Sequence, residues 1–440
     1  MNNTNIIADN LRQVSATMYP LSDKIKVERK HVDKLLHIFK GVKDFRQAHK
    51  TKYNLENILC ICLILAMRGE FTSFSYAAEY IKVKADYFRK LNLIDGNNYP
   101  SHDTLSRIFQ HIDAKELRDV LLKRIERMIR KITNLVSSSE EQKIRLLSGD
   151  GKTFNGSGRK DGKRNINVFN LFDSSSSLCL VSEALDDKES EIPAFQMLLK
   201  RYKLTNTMVS ADALHCQRET CKIISDKGGL YTFKVKDNHA ALKEHMTFVM
   251  DHKRDKCIKK SFNNCDYEIF ILDYKATELE FPGTKAFVRM VSHKRKDQKD
   301  YNPEQQYFIS SANNAQLIME AVDNRWHIES GLHWFKDTEL HEDKCTFMHK
   351  NSIEVMATFN NLVYAIYRLA AAIFYNGNMC ATRIRYKDQP EKLLAKLVPL
   401  MEKQNLTNLL KENMRGRKST KPSATEVQKL VFLDHKNIFL

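Results

Sequence analysis

The chain has 440 residues, 42% of them hydrophobic and 28% charged, which is enough sequence for two or three domains with full hydrophobic cores. Its 71 Lys and Arg residues outnumber its 54 Asp and Glu residues, so the formal net charge is +17. A charge of this sign favours a polyanionic partner, because contacts with phosphates release counterions. The alternative is a basic composition that reflects an AT-rich genome.

Three features argue against secretion and against a membrane segment. The nine cysteines form no CxxC pair and no even-numbered framework, so reduced thiols are expected. The N-terminus lacks the basic segment and apolar stretch of a signal peptide. The most apolar run, residues 58–67, is shorter than the roughly 20 residues that span a bilayer. We therefore predict a cytoplasmic protein in which this run is a buried helix.

The first part of the chain is predicted to be helical. Residues 1–28 are polar and are expected to form a tail, whereas residues 29–135 show the apolar spacing of helices. The last of these helices, AKELRDVLLKRIERMIRKI, follows the candidate cap Asp113 and has a strongly basic polar face. Such a face is typical both of DNA contact and of solvated lysines, and the sequence leaves both interpretations open.

After a polar linker at 136–143 the apolar period changes to that of strands. IRLLSGDGK, INVFNLFDS and SLCLVSEAL are three β-type segments joined by turns, and helices and strands alternate after them. This order predicts an α/β domain over 141–372, with helices on the faces of a mixed sheet. The strand-rich stretch at about 240–306 is interpreted as an insertion, and residues 373–440 as a basic C-terminal tail.

Two aspartates stand at the ends of predicted strands of this sheet. Asp150 follows an apolar strand, and Asp212 follows a second, shorter one. The letters GKT after Asp150 do not form a phosphate-binding loop, because Leu146 occupies the position of the first glycine that this loop requires. Each aspartate taken singly could be a turn residue or a helix cap. Two of them at neighbouring strand ends can instead converge on a hard divalent cation.

The segment RWHIESGLHWFKDTELHEDKC, residues 325–345, contains both tryptophans of the chain and is predicted to be helical. On a helix with about 100° per residue, Arg325, His333 and Lys336 lie on the same face as Glu329. The segment therefore presents one carboxylate among basic side chains. A zinc site is disfavoured, because the segment offers at most one i, i+4 ligand pair and structural zinc normally needs four ligands.

Several blocks of the sequence occur together in a recognisable order. They are KDFRQAHKTKYNLENILCICLILAM, YPSHDTLSRIF, SGDGKTFNGS, ESEIPAFQMLL, VSADALHCQRE, GGLYTFKVKDN, QYFISS and RWHIESGLHWFKDTELHED. With these blocks the chain resembles, over about residues 35–370, the DDE transposases of bacterial insertion sequences, in the branch of the H-repeat-associated proteins. The resemblance implies an RNase H-like catalytic core with a strand-rich insertion, preceded by an α-helical DNA-binding domain.

The resemblance also implies the chemistry. Asp150, Asp212 and Glu329 are expected to be catalytic and to bind two Mg²⁺ or Mn²⁺ ions. The expected reactions are cleavage at transposon ends and strand transfer into target DNA. The expected partners are terminal inverted repeats and target DNA, bound by a homodimer in the bacterial cytosol at the nucleoid. The expected contacts with DNA phosphates come from Lys152, Lys236, Arg325 and Lys336.

The chain departs from the family pattern at three positions. Val322 replaces a tyrosine, Ser330 replaces an asparagine, and His239 replaces a glutamine. None of them is one of the three acids, so these changes concern the handling of DNA ends more than the chemistry. Two alternatives stay open: a DNA-binding protein of transposase origin without catalytic activity, and a metal-dependent nuclease of the same fold.

Overall fold

The computed structural model describes residues 33, 36–136, 144–158, 165–185, 190–252, 256–262, 265–273, 281–294, 304–375 and 377–397. The predicted polar tail at 1–28 and the part of the predicted basic tail beyond residue 397 lie outside these residues, as does nearly all of the predicted linker.

The N-terminal part is helical, in agreement with the apolar periodicity. Its α-helices are Leu55–Arg68 (α1), Phe74–Val83 (α2), Ala85–Lys90 (α3), His102–His111 (α4) and Ala114–Val136 (α5). Helix α1 begins at Asn54, whose side chain accepts hydrogen bonds from the first turn, and ends at Gly69 in the left-handed conformation (φ 72°). Residues 58–67 are all buried, so the apolar run is a core helix. No helix of the described residues is long and apolar enough to cross a membrane.

One mixed sheet of nine strands is described. The strands are Arg145–Phe154 (β1), Ile166–Asp173 (β2), Leu178–Leu185 (β3), Thr207–Ala211 (β4), Leu230–Val235 (β5), Lys256–Phe262 (β6), Cys265–Asp273 (β7), Ala286–Lys294 (β8) and Glu304–Ser310 (β9). Their spatial order is β3-β2-β1-β4-β5-β9-β8-β7-β6. Strand β4 is parallel to both β1 and β5, and all other neighbours are antiparallel. The predicted α/β class with a mixed sheet is confirmed.

Further helices cover the sheet and join it to the N-terminal part. They are Glu191–Arg201 (α6), Arg218–Asp226 (α7), Ala240–His252 (α8), Ala315–His327 (α9), Trp334–Thr338 (α10), Lys350–Phe374 (α11), Met379–Tyr386 (α12) and Pro390–Leu397 (α13). Helix α11 contacts α1, α4 and α5 as well as β3. Its Phe359 ring stacks on Phe109 of α4, with centroids 5.8 Å apart. The N-terminal helices and the sheet therefore share one hydrophobic core.

Two features of the organisation differ from the sequence prediction. The stretch read as a strand-rich insertion begins with helix α8, and its strands β6–β8 extend the main sheet beyond β9. Strand periodicity does not show which neighbouring strand a strand pairs with, so it could not predict that β6–β8 continue the main sheet. The predicted basic tail also contains two packed helices, α12 and α13, in which Leu393 and Leu394 are buried.

We expect Phe109→Ala to lower the free energy of unfolding by about 3–5 kcal/mol, because Phe109 is fully buried among aromatic rings. Both tryptophans, Trp326 and Trp334, lie in the C-terminal half, so their fluorescence reports on that half. Since the core is shared, the substitution in α4 should shift the tryptophan-detected urea transition. Val83→Ala, at a side chain that is 68% exposed, is the control. An unshifted tryptophan transition in Phe109→Ala would mean that the two parts unfold independently.

Candidate active site

The register of two parallel strands brings Asp150 and Asp212 side by side. Strand β1 pairs with β4 as far as the residues directly before the two aspartates. Ser148 and Ser210 stand two residues before the aspartates, and their side chains hydrogen-bond to each other (Oγ–Oγ 3.1 Å). Side chains two residues apart along a strand point to the same face, so Asp150 and Asp212 share the face of these serines. Asp212 follows the end of β4, whereas Asp150 lies within β1, which continues along β2 to Phe154. Both acids therefore occupy the same face at one level of the sheet.

Glu329 is carried by a helical segment packed on this part of the sheet. Helix α9 continues into a π-helical turn, Ile328–His333, and then into α10. Glu329 Oε1 accepts a hydrogen bond of 2.8 Å from Nη1 of Arg325, a residue that is 9% exposed. The predicted helix is present, but its spacing did not predict the π-helical turn, a geometry that is frequent at functional positions.

Glu329 and Asp212 act electrostatically on Asp150. Burial raises the pKa of Asp150 to about 7, with a further contribution from the negative charge of Glu329, an opposing one from Arg325, and a smaller rise from Asp212. A carboxyl group whose pKa is raised by burial and by neighbouring acids is typical of active sites.

The carboxylates fit a hard divalent cation by donor type and by charge. Oxygen ligands suit Mg²⁺ and Mn²⁺, and a cation would relieve the repulsion that raises the pKa of Asp150. Within the described ranges, no three His, Cys, Asp or Glu side chains are gathered closely enough to hold a metal ion. Asp212 instead accepts a hydrogen bond of 3.0 Å from the backbone of Leu214, and Glu329 is bound by Arg325.

His333 lies between Asp150 and the residue paired with it on β2, Asn170. The imidazole Nδ1 is 3.4 Å from Asp150 Oδ2, and its Nε2 is 3.1 Å from Asn170 Nδ2. Burial lowers the pKa of His333 to about 3, so this imidazole is neutral. Helical spacing put His333 on the face of Glu329, but nothing in the sequence pointed to Asn170.

Lys152 and Lys336 form buried ion pairs. Lys152 Nζ contacts Asp337 and lies 2.7 Å from Glu342 Oε2, while Lys336 Nζ lies 3.6 Å from Glu342 Oε1. The side chains of Lys152, Lys336 and Glu342 are 8%, 1% and 0% exposed. These lysines therefore have carboxylate partners in place of the DNA phosphates that were predicted for them. Spacing along the chain could not reveal this, because the pairing depends on tertiary contact.

Two further lysines lie on β5 and directly after it. Lys236 is exposed directly after this strand, and Lys234 is half-buried within it. Burial lowers the pKa of Lys234, and Lys236, Arg325 and Glu329 are among the charges that act on it. Lys234 was missed in the sequence, although the period of two along a strand puts it on the same face as Lys236.

A fourth acid lies on the opposite face of β1. A Cβ atom added to Gly151 would come within 2.6 Å of Glu191 Oε1, so this carboxylate lies directly against the backbone of Gly151. The charge of Glu191 also contributes to the raised pKa of Asp150. The sequence offered no signal for Glu191 beyond its place in the block ESEIPAFQMLL.

We expect Asp150→Asn to stabilise the protein in EDTA by up to about 4 kcal/mol at pH 8. The pKa of Asp150 is raised from 3.8 to about 7, so its ionisation opposes folding as the pH rises through this range. The gain should be absent near pH 4 and grow up to about pH 7, as measured by thermal unfolding. Asp86→Asn, at an 84% exposed side chain, is the control substitution. A gain that is constant with pH would contradict the raised pKa of Asp150.

Glu342→Gln should lower the free energy of unfolding by about 3–5 kcal/mol, because it leaves two buried ammonium groups without their shared partner. The pKa of Glu342 is lowered from 4.5 to about 2, with Lys152 and Lys336 outweighing the effect of burial. The difference in the free energy of unfolding between Glu342→Gln and the unsubstituted protein should therefore be fully present above pH 4.5 and decrease as the pH falls towards 2.

The matched control for Glu342→Gln is Glu79→Gln, at a 66% exposed side chain that forms only a surface pair with Lys82. Urea unfolding at several pH values measures both variants. Equal effects of the two substitutions would show that the buried ion pairs contribute little to stability.

Comparison with known proteins gives a consistent assignment. A DDE_Tnp_1-associated domain model matches residues 36–124, and the transposase DDE domain model matches residues 113–366. YbfL of Escherichia coli K12 is 26% identical over 356 residues, which is 76% of this chain and 90% of the relative. The "H repeat-associated putative transposase YhhI" of the same strain is 25% identical over 358 residues, again 76% of this chain and 90% of the relative.

One solved structure, a cryo-EM structure of the piggyBac transposase synaptic complex with hairpin DNA, aligns with 92% of this chain and 83% of its own. It is 11% identical with a TM-score of 0.38, a likeness too weak to support an inference about this chain. The match of the transposase DDE domain model extends over more than half of the sequence. The chain belongs to the DDE transposases, in the branch of the H repeat-associated proteins.

Proposed function

We propose that this protein is an active, metal-dependent transposase that cleaves DNA at transposon ends and joins them to target DNA. Asp150, Asp212 and Glu329 are its proposed catalytic residues. The observation that carries the proposal is the register of β1 and β4, which sets two aspartates at one level of adjacent parallel strands. Glu329 supports it, because its charge helps to raise the pKa of Asp150.

An RNase H-like core is part of the proposal. The order β3-β2-β1-β4-β5, with β4 parallel to its two neighbours and β2 antiparallel to its own, supports such a core. Asp150 on β1 and Asp212 after β4 would then lie at the central strands of this core. The strands β6–β8 precede the helix that carries Glu329, in the place where the family resemblance implies an insertion.

Asp150, Asp212 and Glu329 would hold two Mg²⁺ or Mn²⁺ ions, which when bound lower the pKa of an attacking water and stabilise the leaving 3′ oxygen. Arg325, buried beside Glu329, orients that carboxylate through its hydrogen bond. Lys236 and Lys234 supply positive charge for phosphates of the DNA strand. The 3′ hydroxyl freed by cleavage becomes the nucleophile in the attack on target DNA.

The proposed partners are the terminal inverted repeats and the target DNA. The net charge of +17 supports a polyanionic partner of this kind. We also propose that the protein binds DNA as a homodimer, with one subunit at each transposon end, and that it acts at the bacterial nucleoid.

Asp150→Asn, Asp212→Asn and Glu329→Gln should each reduce cleavage of a transposon-end duplex in Mg²⁺ at least a hundredfold, or about 2.7 kcal/mol in activation free energy. Each substitution is nearly isosteric but removes a charge that would hold the cation. Gel assays of cleavage and strand transfer, with gel shifts for DNA binding, measure the effect. Near-normal cleavage by one variant would remove that residue from the catalytic set.

Glu320→Gln is the matched control, since Glu320 is an exposed acid of α9, the helix that leads to Glu329. It should retain cleavage. End binding without cleavage by the unsubstituted protein would favour the non-catalytic DNA-binding alternative. Cleavage without strand transfer would favour the nuclease alternative.

A further inference from the structure

Helix α4 has one buried face and one exposed polar face. Leu105, Ile108 and Phe109 are buried, and they fix the helix to the core. The face that points away from them carries four polar side chains at i, i+3, i+4 and i+7 spacing, all at least partly exposed: Asp103, Ser106, Arg107 and Gln110. This face is therefore open to a partner over about 10 Å of helix length.

A basic segment, residues 43–52 (KDFRQAHKTK), precedes helix α1. It contains four Lys or Arg and a single acid, Asp44, which Arg46 binds through two side-chain hydrogen bonds of 2.8 and 2.7 Å. The other basic residues of the segment are exposed: Lys43, Lys50 and Lys52. The segment therefore presents three ammonium groups at the surface, while its one carboxylate has Arg46 as a partner.

This basic segment lies along α4. Phe45 contacts His111, the last residue of α4, with ring centroids 5.8 Å apart. Tyr53, which follows the segment, donates a hydrogen bond of 2.8 Å from its hydroxyl to the carbonyl of Tyr99, just before α4. The segment thus runs antiparallel to α4, because its start is beside the end of the helix and its end is beside the start of the helix. The lysines of the segment are therefore neighbours of α4.

The combination of this helix face with these lysines suits duplex DNA. An α-helix fits the major groove, where Arg pairs with guanine, Gln with adenine, Asp with cytosine and Ser with several bases. The four exposed positions of α4 are occupied by these four residue types. Lysines beside such a helix bind phosphates, which fix its position on the duplex. A protein partner would instead need apolar or aromatic side chains at the centre of the face, and the four positions contain none.

We propose that helix α4 reads the base sequence of the transposon end in the major groove, with Arg107 and Gln110 contacting bases and the basic segment 43–52 contacting the adjacent phosphates. The proposal rests on the proposed function for the identity of this DNA. It adds a sequence-reading surface that is separate from the three acids.

The attachment of α4 to the rest of the protein suits this role. Asn351 Nδ2 of α11 donates hydrogen bonds of 2.9 Å to the carbonyls of Phe109 and Ile112, at the C-terminal end of α4. Helix α11 in turn contacts β3 of the sheet. A helix that is fixed to the sheet through a shared core keeps a constant distance between the bases it reads and the candidate acids.

The first experiment is the selection of bound duplexes from a random-sequence pool by the full-length protein in EDTA, which is expected to enrich a defined sequence. Arg107→Ala and Gln110→Ala should each lower the affinity for the selected duplex by about 5–150-fold, measured by fluorescence anisotropy, because each removes a base contact. Each should also relax the preference at individual base positions. The affinity for a shuffled duplex of the same composition should change much less.

Lys50→Ala and Lys52→Ala test the contact with phosphates. Each should weaken the binding of the selected and the shuffled duplex equally and reduce the slope of log K against log salt by about 1. Lys200→Ala is the matched control, at a 60% exposed lysine of α6 that pairs with Glu219, and it should leave both affinities and the slope unchanged. Thermal unfolding of every variant checks that the fold is intact.

Enrichment of no sequence would overturn the proposal, as would equal losses of affinity for both duplexes in Arg107→Ala and Gln110→Ala. An altered oligomeric state of these variants in light scattering, with DNA binding unchanged, would assign the face to a protein partner and overturn it too. Failure of the proposed function looks different, because the protein would then select its sequence through α4 but leave that duplex uncut in Mg²⁺.

Discussion

Repulsion between carboxylates at one level of the sheet is the constraint around which this region is arranged. The register of β1 and β4 leaves Asp150 and Asp212 no freedom to separate, because their backbones are tied by the strand pairing. Glu329 adds a third negative charge, and burial makes all of this repulsion stronger than it would be in water. The pKa of Asp150 is raised first by its burial and then by these charges. A folded state that keeps such a group buried has to be stabilised elsewhere, and the continuous core that includes α11 contributes to this.

The distribution of positive charge follows from the same constraint. Lys152 is two residues after Asp150 and so lies on the same face of β1, where it could neutralise the acid directly. Glu342 holds it away instead, together with Lys336, inside the protein. Asn360 donates a further hydrogen bond of 3.0 Å to Glu342 Oε1, which anchors the ion pairs to α11. The candidate acids are thus left with Arg325 on Glu329 and with the His333 imidazole 3.4 Å from Asp150.

The apolar periodicity of the sequence predicted the strands and helices whose formation depends on local sequence. The strands around Asp150 and Asp212, the buried helix at 58–67 and the helix carrying Glu329 followed from apolar period, and the order of elements indicated a mixed sheet. The lysine pairings could not be predicted, because a buried ion pair between β1 and residue 342 is set by tertiary contact. Asn170 and Glu191 were missed for the same reason, since each acquires its place only when another element packs beside it. The helices α12 and α13 were missed because the whole stretch beyond residue 373 was interpreted as a basic tail, although several of their apolar side chains are buried.

The π-helical turn shows most directly how the fold, more than the motif, determines the site. In a regular helix the spacing of Arg325, Glu329 and Lys336 would put all three on one face, yet Lys336 turns to Glu342 while Arg325 binds Glu329. A π-helical turn has less favourable geometry than an α-helix, so contacts outside the helix must hold it. Ile328 and Leu332, both 0% exposed, supply such contacts from within the turn. The position of Glu329 beside Arg325 is therefore a property of the packed core, and any substitution that relaxes this turn changes that position without replacing an acid.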